Sequence, residues 1–344
     1  MEDHFAQAFA PPSTGRRKRP VVSCARLRAS STEQMQQQDV YEYNGWKLTY
    51  RYQPAEAGFE TASPLLLIHP VGIGLSNWFW KPLMAEWHGG SAVYAVNLIG
   101  CGIAQGGDEW DPDQRGLAFP LGWAQGCEAL LQQEILPKLR AAVVASTKAT
   151  DVSFRPSTAV ACTVVAQGGL APVGVLLAAR NPETVDRLIL TSPPSWNDMV
   201  TPVPDQEMDR NFNFLRSPVF GKLAFSFLEN KWSIQFFSNV FLFADKCDKE
   251  WIMRALEEAC PAARPPVQAF NSGFCNHRSF LQELATLVQP TLVLQGDADT
   301  TKMGKRHEYA SEMRDCRIQT IAGLNVLPWE SAPAVCRAIH EFLS

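Results

Sequence analysis

The stretch that decides the fold is residues 164–190, VVAQGGLAPVGVLLAARNPETVDRLIL. It begins as a β-branched apolar run, passes through Gln167-Gly168-Gly169 and Pro172, and continues as a second apolar segment. No charged residue lies between Arg155 and Arg180, a length that would suit a membrane-spanning helix. The glycines and the proline interrupt that length. We therefore predict a buried strand that turns into a buried helix, and no transmembrane span.

Short apolar runs of the same kind recur along the chain, separated by helical stretches such as 123–144. Runs without polar alternation are typical of strands buried on both faces of a parallel sheet. Residues 45–53 alternate instead, which predicts a half-buried edge strand. The pattern indicates an α/β fold, with a mostly parallel central sheet flanked by helices. The other predicted strands are 64–69, 92–97, 159–166, 187–192, 291–295 and 317–321, and the final helix is 332–342.

A helical segment interrupts this alternation between the sixth and seventh strands. It is dense in phenylalanine, and we assign residues 195–289 to a helical cap. An insertion at this point lies over the carboxyl edge of the sheet, where open α/β folds bind ligands. The remaining folded sequence is then one core in two parts, 41–194 and 290–344. Packing between cap and core is the favoured explanation for most of the phenylalanines.

Four motifs in chain order resemble those of the α/β-hydrolase superfamily. Residues 69–74 (HPVGIG) are similar to the loop that supplies one oxyanion amide, and residues 97–102 (NLIGCG) to the Asp-x-x-Gly-x-Gly turn. Residues 164–190 resemble the nucleophile elbow with its flanking elements, and residues 296–299 (GDAD) the turn that carries the triad acid. The chain further resembles hydrolase-like proteins of cyanobacteria and plastids, which have a similar His-Pro-x-Gly loop and a Gln-Gly elbow.

This resemblance implies a nucleophile at the tip of the elbow, and the residue expected there is a glycine. In the family the tip lies about fourteen residues before the proline that closes the helix, which from Pro182 leads to Gly168. A register shift of one leads to Gln167 or Gly169. None of the three carries a hydroxyl or a thiol, so covalent catalysis from the elbow is excluded.

The general base is missing as well. Where the family has a histidine after the last strand, this chain reads GLNVLPWE over residues 323–330, so that Asn325 or Leu324 holds the position. An amide cannot accept a proton at any working pH. Among the histidines, we expect His277 and His69 near the pocket, with His277 in the cap the one able to reach down into it.

Asp299 keeps the position of the triad acid. Without a histidine to orient, its role as a turn or helix-cap residue is the favoured alternative. The pair Asp297 and Asp299 lacks a third ligand, so we predict no metal site, and no cofactor motif is present. Backbone amides need no particular side chain, so the oxyanion donors are expected at Val71 and Gly169.

The first 35 residues have the composition of a transit peptide. Six basic residues and no acidic residue stand between positions 4 and 32, among serine, alanine and proline. Residues 22–25 (VSCA) resemble a stromal processing site, which favours the chloroplast, in the stroma or on the stromal face of the thylakoid. A basic tail that stays attached is the alternative.

Composition excludes some functions and leaves three open. The formal net charge of -4 and the lack of a basic patch in the folded part argue against nucleic-acid binding, and nine scattered cysteines without a C-x-x-C pair argue against structural zinc. The first hypothesis is a non-catalytic binder of a small apolar molecule under the cap. The others are a hydrolase or lyase of unorthodox mechanism that uses Asp299 or His277, and a protein-interaction scaffold. The oligomeric state cannot be predicted from this sequence.

Overall fold

A computed structural model describes residues 38–88, 90–116, 119–149 and 160–344. The predicted transit peptide, residues 1–35, lies outside the described residues. The described part of the chain forms one eight-stranded sheet in the order β1-β2-β4-β3-β5-β6-β7-β8. The strands are β1 (Asp39–Tyr43), β2 (Trp46–Gln53), β3 (Leu65–Ile68), β4 (Val93–Val96), β5 (Cys162–Gln167), β6 (Val185–Thr191), β7 (Thr291–Gly296) and β8 (Cys316–Ile321).

The sheet is parallel except at one edge. β2 runs antiparallel to both β1 and β4, whereas every pairing from β4 through β3, β5, β6 and β7 to β8 is parallel. β3, β4, β5 and β7 are buried along their whole length, as their unbroken apolar runs indicate. The predicted fold class is confirmed. β1 was not predicted, because its five residues, DVYEY, contain no apolar run and are too few to show the alternation by which the longer β2 was recognised.

Helices cover both faces of this sheet. None of the helices within the described residues is long and apolar enough to cross a membrane. They are α1 (Lys81–Glu86), α2 (Pro112–Arg115), α3 (Leu121–Leu130), α4 (Leu136–Ala149), α5 (Ala171–Arg180), α6 (Trp196–Val200), α7 (Asp205–Leu215), α8 (Phe220–Leu228), α9 (Lys231–Phe241), α10 (Lys249–Glu258), α11 (Arg264–Asn271), α12 (Leu281–Thr286), α13 (Met303–Glu312), α14 (Leu327–Glu330) and α15 (Ala332–Leu343).

The two faces of the sheet have separate cores. One cluster joins α3 and α5 to the sheet through side chains such as Trp123 and Leu177. The other contains a group of tryptophans, in which Trp78 meets both Trp251 and Trp329 edge to face with ring centroids 5.2 Å apart. Aromatic pairs in this arrangement add stability beyond the apolar area they bury. Because Trp251 belongs to α10, this second core ties the segment between β6 and β7 to the body of the protein.

Helices α6 to α12 lie in the chain between β6 and β7, within the residues assigned to the cap. Two of them, α10 and α11, rest on the loops that leave the carboxyl ends of β3, β4 and β5. Each contact falls on a glycine. A Cβ atom on Gly74 would lie 1.9 Å from the Ala255 carbonyl oxygen, one on Gly100 2.8 Å from Pro266 Cγ, and one on Gly169 2.4 Å from Phe270 Cζ. Only residues without a side chain permit this approach.

Candidate functional site

The elbow is present and its tip is glycine. β5 ends at Gln167, and a single 3-10 turn over Gly168–Leu170 leads into α5. Gly168 is buried and has φ of +61°, in the left-handed region where a side chain is strained. Gly174 in the following helix lets α5 approach β5, because a Cβ atom there would lie 2.8 Å from Ala166 Cβ. The strained strand-to-helix turn is therefore retained without a nucleophilic side chain.

Asn325 stands opposite the elbow. A Cβ atom built on Gly168 would have Asn325 Oδ1 as its nearest neighbour, 4.0 Å away. The backbone N–H of Asn325 donates to the Leu242 carbonyl oxygen over 3.1 Å, which anchors it to the end of α9. The structure thus brings together the two positions that the sequence indicated for nucleophile and base. They hold a glycine and an amide.

Gln167 links these two positions, a role that the sequence did not reveal. Its Nε2 donates to the Asn325 carbonyl oxygen over 2.9 Å and lies 3.3 Å from Asn325 Oδ1, while its Oε1 accepts a 2.6 Å hydrogen bond from Thr191 Oγ1. The side chain is 1% exposed, so both ends of the amide find partners inside the protein. The one feature of the sequence that could have indicated this role is the position of Gln167 directly before the elbow tip.

Asp299 is held in a buried ion pair. Its Oδ2 lies 2.9 Å from Nη1 of Arg306, and its Oδ1 accepts a 3.1 Å hydrogen bond from Thr301 Oγ1. The Arg306 side chain is 1% exposed, and its Nε donates to the Pro193 carbonyl oxygen over 2.7 Å. Burial lowers the pKa of Arg306, and the carboxylate of Asp299 acts in the opposite direction. These contacts give Asp299 a structural partner in place of a catalytic histidine.

Asp297, the other carboxylate of this turn, is also hydrogen-bonded within the protein. Asp297 Oδ1 accepts a 3.0 Å hydrogen bond from the Gly323 backbone N–H. In the described part of the chain no group of three or more histidine, cysteine, aspartate or glutamate side chains is arranged to hold a metal ion.

His69 and His277 are both bonded to the backbone. His69 is fully buried; its Nε2 accepts from the Leu98 N–H over 3.2 Å, so Nδ1 is the donor to the Pro70 carbonyl oxygen at 2.8 Å. Burial lowers the pKa of His69 to about 4, and the ring is neutral. His277 follows α11, with Nδ1 3.1 Å from the Phe274 carbonyl oxygen and its ring edge to face with Phe280. Burial lowers its pKa as well.

The expected oxyanion amides lie under the cap. The ring of Phe270, on α11, covers Gly169, as the 2.4 Å clash with a Cβ atom there indicates. Val71 lines a cavity of about 10 Å³, room for roughly one water molecule, and a second cavity of similar size lies beside Gly74. Pockets for small ligands usually measure about 300–1,000 Å³. Helices α10 and α11 are therefore closed onto the loops that follow β3, β4 and β5.

Glu258, at the last position of α10, lines the first of these cavities and was not predicted as a site residue. Its side chain is buried, and Oε1 accepts a 2.6 Å hydrogen bond from Nε2 of Gln105, which also donates to Ser76 Oγ. Oε2 makes no side-chain hydrogen bond within the described residues. Burial raises the pKa of Glu258, and the hydrogen bond from Gln105 opposes this in part. Charged residues are expected on the exposed side of an amphipathic helix, so the sequence did not indicate that the Glu258 side chain is buried next to a cavity.

Comparisons with known proteins agree with this fold. The family model described as Alpha/beta hydrolase family matches residues 65–339, and the chain belongs to this family. A search of curated proteins finds no match.

Among solved structures, wild-type DbjA is similar at 18% identity with a TM-score of 0.59, over 89% of this chain and 97% of its own. Wild-type Cfl2 from Burkholderia cenocepacia is similar at 15% with a TM-score of 0.60, over 89% and 95%. CarC, a serine hydrolase involved in carbazole degradation, is similar at 14% with a TM-score of 0.57, over 89% and 98%. Similarity at this level of identity establishes the fold alone.

Proposed function

We propose that this chain is a non-catalytic α/β-hydrolase-fold protein of the chloroplast that binds a small, largely apolar molecule between the elbow and the cap. The observation that carries the proposal is that the elbow tip is Gly168 and that Asn325 Oδ1 lies 4.0 Å from the position a Cβ atom would take there. At the two positions where acyl transfer requires a nucleophile and a base, neither side chain can attack a carbonyl or accept a proton.

The elbow leaves room for a side-chain atom at Gly168. Nothing but Asn325 comes within 4 Å of a Cβ atom on Gly168, whereas the neighbouring Gly169 is covered by the ring of Phe270. A ligand with an apolar group would take the place of that ring, next to the backbone amides. Movement of one aromatic side chain would then open the site, without any rearrangement of the sheet.

A protein-interaction scaffold is the second candidate, and the small cavities favour it. Room for roughly one water molecule next to Val71 is far less than a ligand needs. An enzyme of unorthodox mechanism has weaker support, because Asp299 is paired with Arg306 and His277 is bonded to a backbone carbonyl.

Labelling with a fluorophosphonate probe tests the lack of catalysis, since such probes react with activated hydroxyl groups. We expect no labelling of the wild type, and none of Gly168→Ser, because Asn325 cannot activate the new hydroxyl. Stoichiometric labelling of any serine in the wild type would contradict the proposal. Ser192 is the residue to inspect, because it follows β6 at φ of +46° and its Oγ is buried without a partner in the described residues.

Mass spectrometry of organic extracts tests ligand binding. We expect the wild type and Gly168→Ala to retain a co-purifying apolar molecule and Gly168→Leu to lose it, because the larger side chain fills the space above the elbow. Gly168→Ala is the matched control, since both substitutions carry the same backbone cost of about 1 kcal/mol at positive φ. If all three proteins carry no molecule, the scaffold function is favoured.

A further inference from the structure

Helices α8 and α9 of the cap expose six large aromatic residues, here called the aromatic face. They are 38 to 66% exposed. Five of the rings contact one another from one helix to the next: the centroids of Phe227 and Trp232 are 6.1 Å apart, and those of Trp232 and Phe236 are stacked at 5.4 Å. The aromatic face consists of Phe220, Phe227, Trp232, Phe236, Phe237 and Phe241.

Other side chains anchor these helices in the protein. Phe225 of α8 is 1% exposed and Ile234 of α9 is 6% exposed, so the aromatic face is not needed to hold either helix in place. Six large rings that are about half exposed present several hundred Å² of apolar surface, which is at the limit of what an isolated soluble protein shows. The aromatic face therefore requires a partner.

The charges around the aromatic face identify the chemistry of that partner. Lys222 and Lys231 are exposed beside the rings. Glu229 is the sole carboxylate in residues 220–241, and both of its oxygens are taken by Arg264, at 2.6 and 2.5 Å. The face thus combines apolar rings, a tryptophan and unneutralised lysines, which is the composition of helices that lie in the interface of an anionic bilayer.

A second copy of the chain fits this surface less well. Two aromatic faces packed against each other would bring their lysines together, and the segment has no free carboxylate to offset the repulsion. We propose that the aromatic face docks onto an anionic lipid bilayer, with the rings of α8 and α9 inserted at the level of the headgroups and Lys222 and Lys231 on the lipid phosphates. This attachment is independent of whether the elbow binds a ligand.

Co-sedimentation with lipid vesicles tests the proposal with the full-length chain. We expect the wild type to bind vesicles made of equal parts phosphatidylcholine and phosphatidylglycerol. Trp232→Ser/Phe236→Ser should lower the partition coefficient by about tenfold or more, because two rings no longer enter the bilayer. Lys222→Gln/Lys231→Gln should weaken binding to the mixed vesicles, but not to phosphatidylcholine alone.

The matched control is Phe59→Ser, which removes a ring that is 43% exposed on the loop between β2 and β3 and should bind as the wild type does. Every variant keeps residues 1–37, so binding through that basic segment is the same in all. The proposal is overturned if the wild type stays in the supernatant, or if loss of Trp232 and Phe236 changes binding no more than loss of Phe59. It is also overturned if sedimentation without lipid shows a dimer that the double substitution dissociates.

Discussion

At the scale of single residues, His69 joins two strands through its ring. The ring lies at the end of β3, accepts from Leu98 just beyond β4, and has no contact with water. Only the neutral ring can both accept through Nε2 and donate through Nδ1. Protonation would remove the acceptor and place a charge in the core.

The pH dependence of stability follows from the lowered pKa of His69. The ring contributes stability that is present above the unfolded value of 6.5 and is lost as the pH falls through the folded value of about 4. We expect His69→Asn to lose less free energy of unfolding than the wild type between these pH values, by about 3 kcal/mol. Urea unfolding at a series of pH values measures the difference. The control is His88→Asn, where the ring is exposed, and equal pH slopes for wild type and His69→Asn would refute the argument.

Some residues of the site could be located from the sequence and others could not, depending on whether one helix or tertiary packing fixes their position. Gly168 was located from Pro182 because one helix of regular rise connects them. The ion pair of Asp299 with Arg306 and the contact of Phe270 with Gly169 were not predicted, because they join side chains whose approach depends on tertiary packing. Residue spacing therefore indicates which triad side chains are absent, but it does not predict that Asp299 is paired with Arg306.

At the scale of elements, glycines in three successive loops set the distance between cap and core. A side chain at one of these glycines should destabilise the protein mainly by pushing the cap away from the core. A second glycine with positive φ but no neighbouring atoms serves as the control. Gly74 has φ of +66° and lies under Ala255 of α10, whereas Gly58 has φ of +91° and nothing within 4 Å of its Cβ position.

We expect Gly58→Ala to lower the free energy of unfolding by about 1 kcal/mol, the cost of a side chain at positive φ. Gly74→Ala should cost roughly 2 kcal/mol more, because its methyl group must displace the backbone of α10. Chemical denaturation of the two variants measures both values. Equal losses would show that the cap does not rest on Gly74.

Most strands of the sheet could be located from the sequence, whereas for the cap the sequence predicted helices but not how they pack. β3 to β7 are each marked by a local apolar run, since a strand buried on both faces has no polar alternation, whereas the edge strand β8 is part-exposed and reads CRIQTI. The cap helices α10 and α11 are visible as helical patterns, but their sequence does not say that they close onto Gly74, Gly100 and Gly169. That contact depends on loop glycines that lie far away in the chain.

At the scale of the whole molecule, the leader remains a prediction from composition. We expect a fluorescent protein fused behind residues 1–40 to enter chloroplasts and to be shortened by processing, because the leader is basic, hydroxylated and free of acid between positions 4 and 32. Microscopy and immunoblotting of the fusion check both parts. A matched fusion in which the basic residues at positions 16–19 are replaced by glutamine should stay outside. Diffuse cytosolic signal from the unaltered leader would contradict the assignment.

The ion pair between Asp299 and Arg306 also limits the evolutionary paths open to this chain. Gly168→Ser and Asn325→His would return a hydroxyl and an imidazole to the positions where family members carry them. The imidazole would still lack its acid, because freeing Asp299 would leave the buried guanidinium of Arg306 without its counter-charge. Each single step toward an active triad is thus either silent or destabilising. Under the proposed function, an active triad could therefore return only through several simultaneous substitutions.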